Sequence, residues 1–176
     1  MTEIRVAGAA DGDALGEIHA AAWGAAYGPF FTPQFAAAGV ADRRARWHGR
    51  VADGPGTVLL ALADGRPLAL SWYLPSGTRP PGTAEILSFY AHPDGWGTGV
   101  AAALMTGTLA RLRADGFTCA HLWTLRDTPR SRRFYAKSGF TETGASRLCD
   151  FGDGHPLEQV EYERDRGGDG PWKAFA

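Results

Sequence analysis

Three glycines, Gly95, Gly97 and Gly99, fall within five positions of the stretch His92–Ala101 (HPDGWGTGVA). The apolar run Ala84–Ala91 (AEILSFYA) leads into it, and a helix-like run leaves it from about Thr98. Glycine loses more conformational freedom on folding than any other residue. A cluster therefore marks dihedrals that side chains avoid, or a group packed against bare main chain. A strand that breaks into such a turn and re-emerges as a helix aims backbone amides and the positive end of a helix dipole at one point. That point suits a phosphate.

The pattern of the glycines narrows the choice. A Walker A loop needs a lysine after its last glycine, and Val100 follows Gly99, which excludes it. Gly97–Ala102 fits the G-x-G-x-x-A of a dinucleotide fingerprint. The match lies beyond the middle of the chain, however, and leaves too little sequence for the rest of a double βαβ unit and a substrate region. From the residues alone two readings stay open: a glycine turn that serves packing only, or amides from Gly97 to Ala101 directed at a pyrophosphate.

The rest of the chain supplies strands and helices in a definite order. Residues 3–7 read as a strand. Asp11 to Tyr27 reads as a helix, since Leu15, Ile18, His19, Ala22, Trp23 and Ala26 recur three and four apart. Gly28-Pro29 ends it, and Thr32-Pro33 opens a second helix to about His48, with a capping threonine and proline at its first position. Arg43, Arg44, Arg46 and Arg50 are expected on the solvated side of that helix, with contact to an anionic ligand as the lesser alternative. Two apolar runs follow, joined through Asp64-Gly65 as a hairpin. Then come a Pro/Gly loop over 75–82, a strand at 84–91, a helix over 98–114, a strand at 119–125, a helix over 129–138, and strands near 140–148 and 157–163. This is a mixed sheet of seven strands with four helices, an α/β (α+β) protein.

Length and charge bound the function. A chain of 176 residues holds one domain with its own core but not two ordinary ones. We expect a single domain over residues 1–166 with 167–176 as a flexible tail. A formal net charge of -1 gives no electrostatic case for nucleic acid or an anionic membrane. No stretch reaches membrane-spanning length and no targeting segment opens the chain, so the expected location is cytoplasmic. Cys119 and Cys149 lack metal spacing and are expected as buried or half-buried thiols.

HPDGWGTGVAAALM, preceded by AEILSFYA and followed by FYAKSGF at 134–140, resembles the GCN5-related N-acetyltransferase (GNAT) superfamily over roughly residues 3 to 164. The family's acyl-CoA signature, Gln/Arg-x-x-Gly-x-Gly/Ala, falls on Trp96, Gly97, Thr98, Gly99, Val100 and Ala101. Gly99 and Ala101 match it, while Trp96 stands where the family usually has Gln or Arg. The resemblance implies a mostly antiparallel, acyl-CoA N-acyltransferase-like sheet in which a splayed strand pair holds acetyl-CoA as cosubstrate. It implies no metal. The acceptor would be a small-molecule or peptide amine, and the protein a monomer or homodimer.

Moving an acetyl group from a thioester to an amine requires deprotonation of the amine, stabilisation of the oxyanion and protonation of the thiolate. By resemblance, the main chain around Phe89 and Ala91 meets the pantetheine arm, with the Phe89 amide as oxyanion donor. Tyr135 is then the general acid and Glu85 the base, acting directly or through water; His92 is a poorer second candidate. The plainer alternatives are a packed aromatic at Tyr135 and a hydrophilic strand terminus at Glu85. Phe134, its neighbour on a short helix, is expected in the core. Thr128 stands where the family often has asparagine near the cofactor, and is expected to cap the helix that starts at Pro129. Arg130, Arg132 and Arg133 lie beside it, facing either the phosphates or solvent. Trp23, Tyr27, Phe30, Phe31, Trp72 and Tyr73 fall in segments that border the acceptor in the resembled fold, although each also suits a core. A non-catalytic acyl-CoA-binding or regulatory protein on the same scaffold is the alternative function.

Overall fold

The Asp64-Gly65 turn forms between the two apolar runs, with φ of 49° at Asp64 and 79° at Gly65. Positive φ at both central residues matches the twist of the flanking strands. The turn joins β2 (Thr57–Ala63) to β3 (Arg66–Pro75) in an antiparallel ladder. The ladder slips between Ala61 and Leu62, opposite Pro67, which has no amide to contribute. In this irregular stretch Leu68 O accepts the His92 amide at 2.8 Å.

The computed structural model describes residues 1–165, so the tail expected at 167–176 lies outside the described residues. Besides the hairpin, the elements are β1 (Thr2–Val6), α1 (Gly12–Tyr27), α2 (Pro33–Ala45), α3 (Trp47–Asp53), β4 (Thr83–Ala91), α4 (Val100–Ala114), β5 (Cys119–Leu125), α5 (Pro129–Lys137), β6 (Thr141–Cys149) and β7 (Leu157–Asp165). The strands form one seven-stranded sheet in the order β1-β2-β3-β4-β5-β7-β6. Its β4–β5 pair is parallel, and β1–β2, β2–β3, β5–β7 and β6–β7 are antiparallel. This is the mixed α/β fold expected from the sequence. No helix among the described residues is long and apolar enough to cross a membrane.

Two compact units make up the chain. The first comprises Met1–Leu74 and Ser88–Thr108. Its core gathers Leu15, Ile18, Trp47, Val58, Leu60 and Leu70, with Trp72 and Tyr90 packed against them. The expected stripe of α1 is the buried one: Leu15, Ile18, His19, Ala22 and Trp23 all face inward. The second helix departs from expectation. Thr32 does cap it, its hydroxyl accepting from Phe35 N at 3.3 Å. It stops at Ala45, though, and α3 begins after Arg46. The break lets Trp47 turn fully inward, where its indole donates to His19 Nδ1 at 3.0 Å.

Among the described residues, the second unit comprises Pro75–Leu87 and Leu109–Asp165. Here β7 lies between β5 and β6, and β5 also pairs in parallel with the start of β4 through Thr83↔Cys119, Ala84↔Ala120 and Glu85↔His121. Ala120, Leu122, Tyr135, Phe140, Val160 and Tyr162 are buried. β6 forms the sheet edge and is exposed along nearly its whole length. Both cysteines are free and half-buried, and burial together with Glu163 and Asp165 pushes the Cys119 thiol up to about 11.

Candidate functional site

The chain turns as soon as β4 ends. His92 Nδ1 accepts from Asp94 N at 3.1 Å and caps a 3₁₀ turn over Pro93–Gly95, while Asp94 is ion-paired to Arg66. His92 thus has a capping role in this turn. Trp96 N returns to Pro93 O at 3.0 Å, and the Thr98 hydroxyl donates to Gly95 O at 2.7 Å. Gly97 and Gly99 have φ of 78° and 89°, a region L side chains enter only under strain. A side chain on either would meet no atom within 4 Å. The glycines therefore serve conformation, and the main chain beside them is approachable.

α4 begins directly after Gly99, whose carbonyl accepts from Ala103 N at 3.0 Å. The amides of Gly97, Gly99, Ala101 and Ala102 have no acceptor among the described residues. Free amides at the positive end of a 15-residue helix are a ready receptor for an anion. Val100 contributes differently: its side chain is buried and its amide is 3.4 Å from Thr98 Oγ1. Trp96 is 38% exposed, and its indole donates to Ala91 O at 2.9 Å. It ties the loop to the end of β4, and one of the Ala91 main-chain groups is thereby used within the protein.

Along β4, Ala84, Ile86 and Ser88 are buried, whereas Glu85 and Phe89 are half-buried and Leu87 is exposed. The face shared by Glu85, Leu87 and Phe89 is the more open one. Glu85 sits in register beside His121, and nothing bonds its carboxylate among the described residues. The expected residues are divided between the units: Phe89, Ala91 and Trp96–Ala101 belong to the first, and Glu85, Thr128 and Tyr135 to the second.

α5 corrects two expectations. Tyr135, not Phe134, is the buried member of the aromatic pair, with its ring 6.1 Å from Phe140 and 6.0 Å from Tyr162. Phe134 is half-buried and meets Tyr135 edge-on. Thr128 occupies the N-cap position but makes no capping bond. Its hydroxyl turns back to donate to Leu125 O at 2.7 Å, because φ of -115° and ψ of 75° there aim it away from the helix. Arg132 is engaged within the protein, donating to Glu142 at 2.8 Å and to Tyr162 Oη at 3.3 Å.

The arginines of α2 and α3 are not a uniformly solvated side. Arg43 lies 3.9 Å over the Trp23 ring, and Arg50 lies 4.0 Å from the Trp72 ring. Trp23 and Tyr73 are core residues, each 1% exposed, while Tyr27, Phe30, Phe31 and Trp72 are half-buried. Next to them, burial and the charges of Arg43, Arg46 and Arg50 drive His19 down to about 3. The unfolded imidazole, near 6.5, takes its proton first as the pH falls, so His19 contributes stability that is complete above about 6.5 and lost between there and about 3. His19→Gln keeps an acceptor for Trp47 and removes the titration. We expect its stability, measured by urea unfolding, to fall less than the wild type's between pH 7 and pH 5.5, by on the order of 1 kcal/mol. Identical losses would remove His19 as a source of acid sensitivity.

One buried network has no local sequence signal. His121, 1% exposed, meets Glu161 through Nδ1 at 2.9 Å and Ser76 Oγ through Nε2 at 2.8 Å. Glu161 also accepts from Arg79 at 2.6 Å and from the Thr143 hydroxyl at 2.8 Å. An ionised carboxylate only accepts, so Nδ1 is the donor of its pair. Serine, histidine and carboxylate follow the order of a nucleophilic triad, but the Ser76 amide is already given to Thr83 O at 2.9 Å and is not available as an oxyanion donor. The network braces the loop between β3 and β4.

A model of the acetyltransferase (GNAT) family matches residues 17–140. An uncharacterised N-acetyltransferase of Mycobacterium tuberculosis is 31% identical over 152 residues, covering 85% of this chain and 95% of the relative. A Mycobacterium bovis protein of the same description matches to the same extent. Among solved structures, the paia N-acetyltransferase of Thermoplasma acidophilum in complex with coenzyme A has a TM-score of 0.72 at 17% identity, over 94% of this chain and 99% of that one. The yncA protein of Salmonella typhimurium, solved with its cofactor acetyl-CoA, has a TM-score of 0.68 at 20% identity, over 100% of this chain and 96% of that one. These likenesses show a shared fold.

Proposed function

The chain belongs to the acetyltransferase (GNAT) family, and on that premise we propose that it moves an acetyl group from acetyl-CoA to a primary amine by direct attack on the thioester. The observation that carries the reading is the loop after β4: two glycines at positive φ, open space beside both, and the amides of Gly97, Gly99, Ala101 and Ala102 at the start of α4 with no acceptor among the described residues. Those amides, from Gly97, Gly99 and Ala101 above all, hold the pyrophosphate, and Thr98 and Trp96 fix the loop's shape. Coenzyme A complexes in structures of the same fold support this assignment.

The remaining roles follow from the resemblance. Glu85, half-buried with an unbonded carboxylate, takes the proton of the incoming ammonium, directly or through water. The neutral amine attacks the carbonyl carbon, and the Phe89 amide stabilises the oxyanion. Collapse breaks the carbon–sulfur bond, Tyr135 donates its hydroxyl proton to the departing thiolate, and the extra proton of the attacking nitrogen leaves as the amide forms, passing through solvent to restore the phenol. Thr128 and the Ala91 amide contribute to cosubstrate binding. The enzyme acts as one domain over residues 1–166, in the cytoplasm, on a small-molecule or peptide amine; a second copy would pair along the exposed edge of β6.

Calorimetric titration with acetyl-CoA, with NAD as control, tests the reading, followed by thiol release in the presence of amines. Acetyl-CoA binding that no amine converts to CoA release would support the non-catalytic alternative. Gly99→Val places a branched side chain in the open space at the amides. It should weaken acetyl-CoA binding by about tenfold to a hundredfold, the worth of one hydrogen bond to a charged group. Gly116→Val, at φ of 87° with equal open space, carries similar backbone strain at the far end of α4 and should leave that affinity unchanged. Unaltered binding in the Gly99 variant would sink the loop assignment.

A further inference from the structure

Three arginines, Arg43 of α2, Arg46 at the break and Arg50 of α3, act on one patch of aromatic surface in the first unit. Arg43 covers Trp23 at 3.9 Å, and Arg50 sits 4.0 Å from the Trp72 centroid and 4.8 Å from that of Trp47. Tyr90 of β4 packs on His19 with centroids 4.3 Å apart. Arg43, Arg46 and Arg50 all bear electrostatically on both His19 and Tyr90. Tyr27, Arg43, Arg50, Trp72 and Tyr90 are each half-buried, so the patch is neither sealed core nor open surface.

Its charge is not balanced. Asp42 pairs with Arg46 and stands 3.8 Å from Arg43, on the exposed side of α2. Arg50 has no acid partner among the described residues. Two donors, Arg43 Nε and Trp23 Nε1, are buried without an acceptor among the described residues. A buried donor without a partner costs free energy, and so does a cation withdrawn from water without a counter-charge. The surplus here is entirely of donors and of positive charge, set against aromatic faces. Its complement is an acceptor-only anion attached to an apolar body.

We propose that this patch binds the acid group of the acceptor, so that the substrate class is an amine that also carries a carboxylate or another oxyacid. The assignment deepens the acetyl-transfer reading and rests on it. Tyr90 follows Phe89 along β4, so the patch lies against the main chain assigned to the oxyanion, on the strand face opposite the side chains of Glu85 and Phe89. Arg43 and Arg50 hold the oxyacid by charge-assisted hydrogen bonds, and Trp72 and Tyr27 flank the apolar body.

The test compares matched pairs: L-phenylalanine with 2-phenylethylamine, L-leucine with 3-methylbutylamine, and 5-aminopentanoate with pentylamine. Thiol release gives kcat/KM for each. N-acetyl-L-phenylalanine and the neutral N-acetyl-2-phenylethylamine are titrated separately, with tryptophan fluorescence as the readout. The acidic member of at least one pair should exceed its neutral match by about tenfold or more, and N-acetyl-L-phenylalanine should bind more tightly than its match by a similar factor. Arg50→Met, which keeps an apolar stem against Trp72, should bring both ratios to about one. Arg43→Met should do the same, and the Arg50 variant decides if Arg43→Met fails to fold. Equal values for acidic and neutral members, or a ratio that Arg50→Met leaves standing, would overturn the proposal. So would acetyl-CoA binding with no response to any acidic member. Failure to bind acetyl-CoA would instead overturn the acetyl-transfer reading, and the fluorescence titration alone would then decide the patch.

Discussion

Tyr135→Phe should lower the rate of acetyl transfer by about 10²- to 10⁴-fold, the usual worth of a positioned general acid, with acetyl-CoA affinity within about twofold of wild type. The two effects separate because of where the ring sits. Tyr135 is 8% exposed and packs against Phe134, Phe140 and Tyr162. Phenylalanine keeps all of those ring contacts and removes only the hydroxyl. A free phenol is overwhelmingly protonated at neutral pH, the form that the proposed general acid requires. Single-turnover measurement of CoA release, with calorimetry for binding, distinguishes the outcomes. An equal fall in rate and affinity would mean that the ring is a packing element whose disturbance spreads to the loop. An unchanged rate would leave the thiolate to be protonated by solvent.

Tyr135 also shows how far the sequence alone reaches. The FYAKSGF stretch points to this tyrosine, yet it places Phe134 in the core. A nine-residue helix cannot decide which of two adjacent aromatics turns inward. Phe140 and Tyr162 decide it, and Tyr162 arrives only through the register of β7 on β5. Local chemistry was readable where local chemistry sets the outcome. Asp64-Gly65 turns, Thr32 caps, β5 occupies Cys119–Leu125 as expected, and Gly97 and Gly99 adopt the conformations that only glycine enters cheaply. It was not readable where distant residues compete. Arg46 interrupts a continuous helical pattern because Trp47 finds His19 28 residues away. Thr128 looks like a cap, but its hydroxyl is better placed toward Leu125 O. The arginines look solvated because their tryptophan partners are spread over α1, α3 and β3.

Glu161→Ala should cost about 3–5 kcal/mol of stability, the range for removing one partner of a buried ion pair. For a chain of this size that is a fall in melting temperature of about 10 °C. Ser76 and His121 are 45 residues apart and His121 and Glu161 are 40 apart, so no local element holds them together once the carboxylate is gone. Glu161 is the hub: its side chain is 3% exposed, and it accepts from His121, Arg79 and Thr143. Burial is the largest influence on its carboxyl and pushes its pKa up. The bonds from Arg79 and Thr143, with the charges of Arg79 and His121, outweigh it and hold the group below its ordinary value. Its contribution is therefore present above the ordinary carboxylate range and lost as the pH falls through the lowered value. Arg79→Ala should cost less than Glu161→Ala, because the guanidinium is 33% exposed and His121 and Thr143 still satisfy the carboxylate. A double-mutant cycle between His121→Phe and Glu161→Leu separates the pair from the site. Replacing both ends with apolar groups should recover part of what either single change loses, since neither leaves the other's polar atom stranded. If Glu161→Ala instead costs less than about 1 kcal/mol, then water replaces the carboxylate without penalty, and the loop between β3 and β4 is held by main-chain bonds such as Ser76 N to Thr83 O and Thr118 N to Gly82 O.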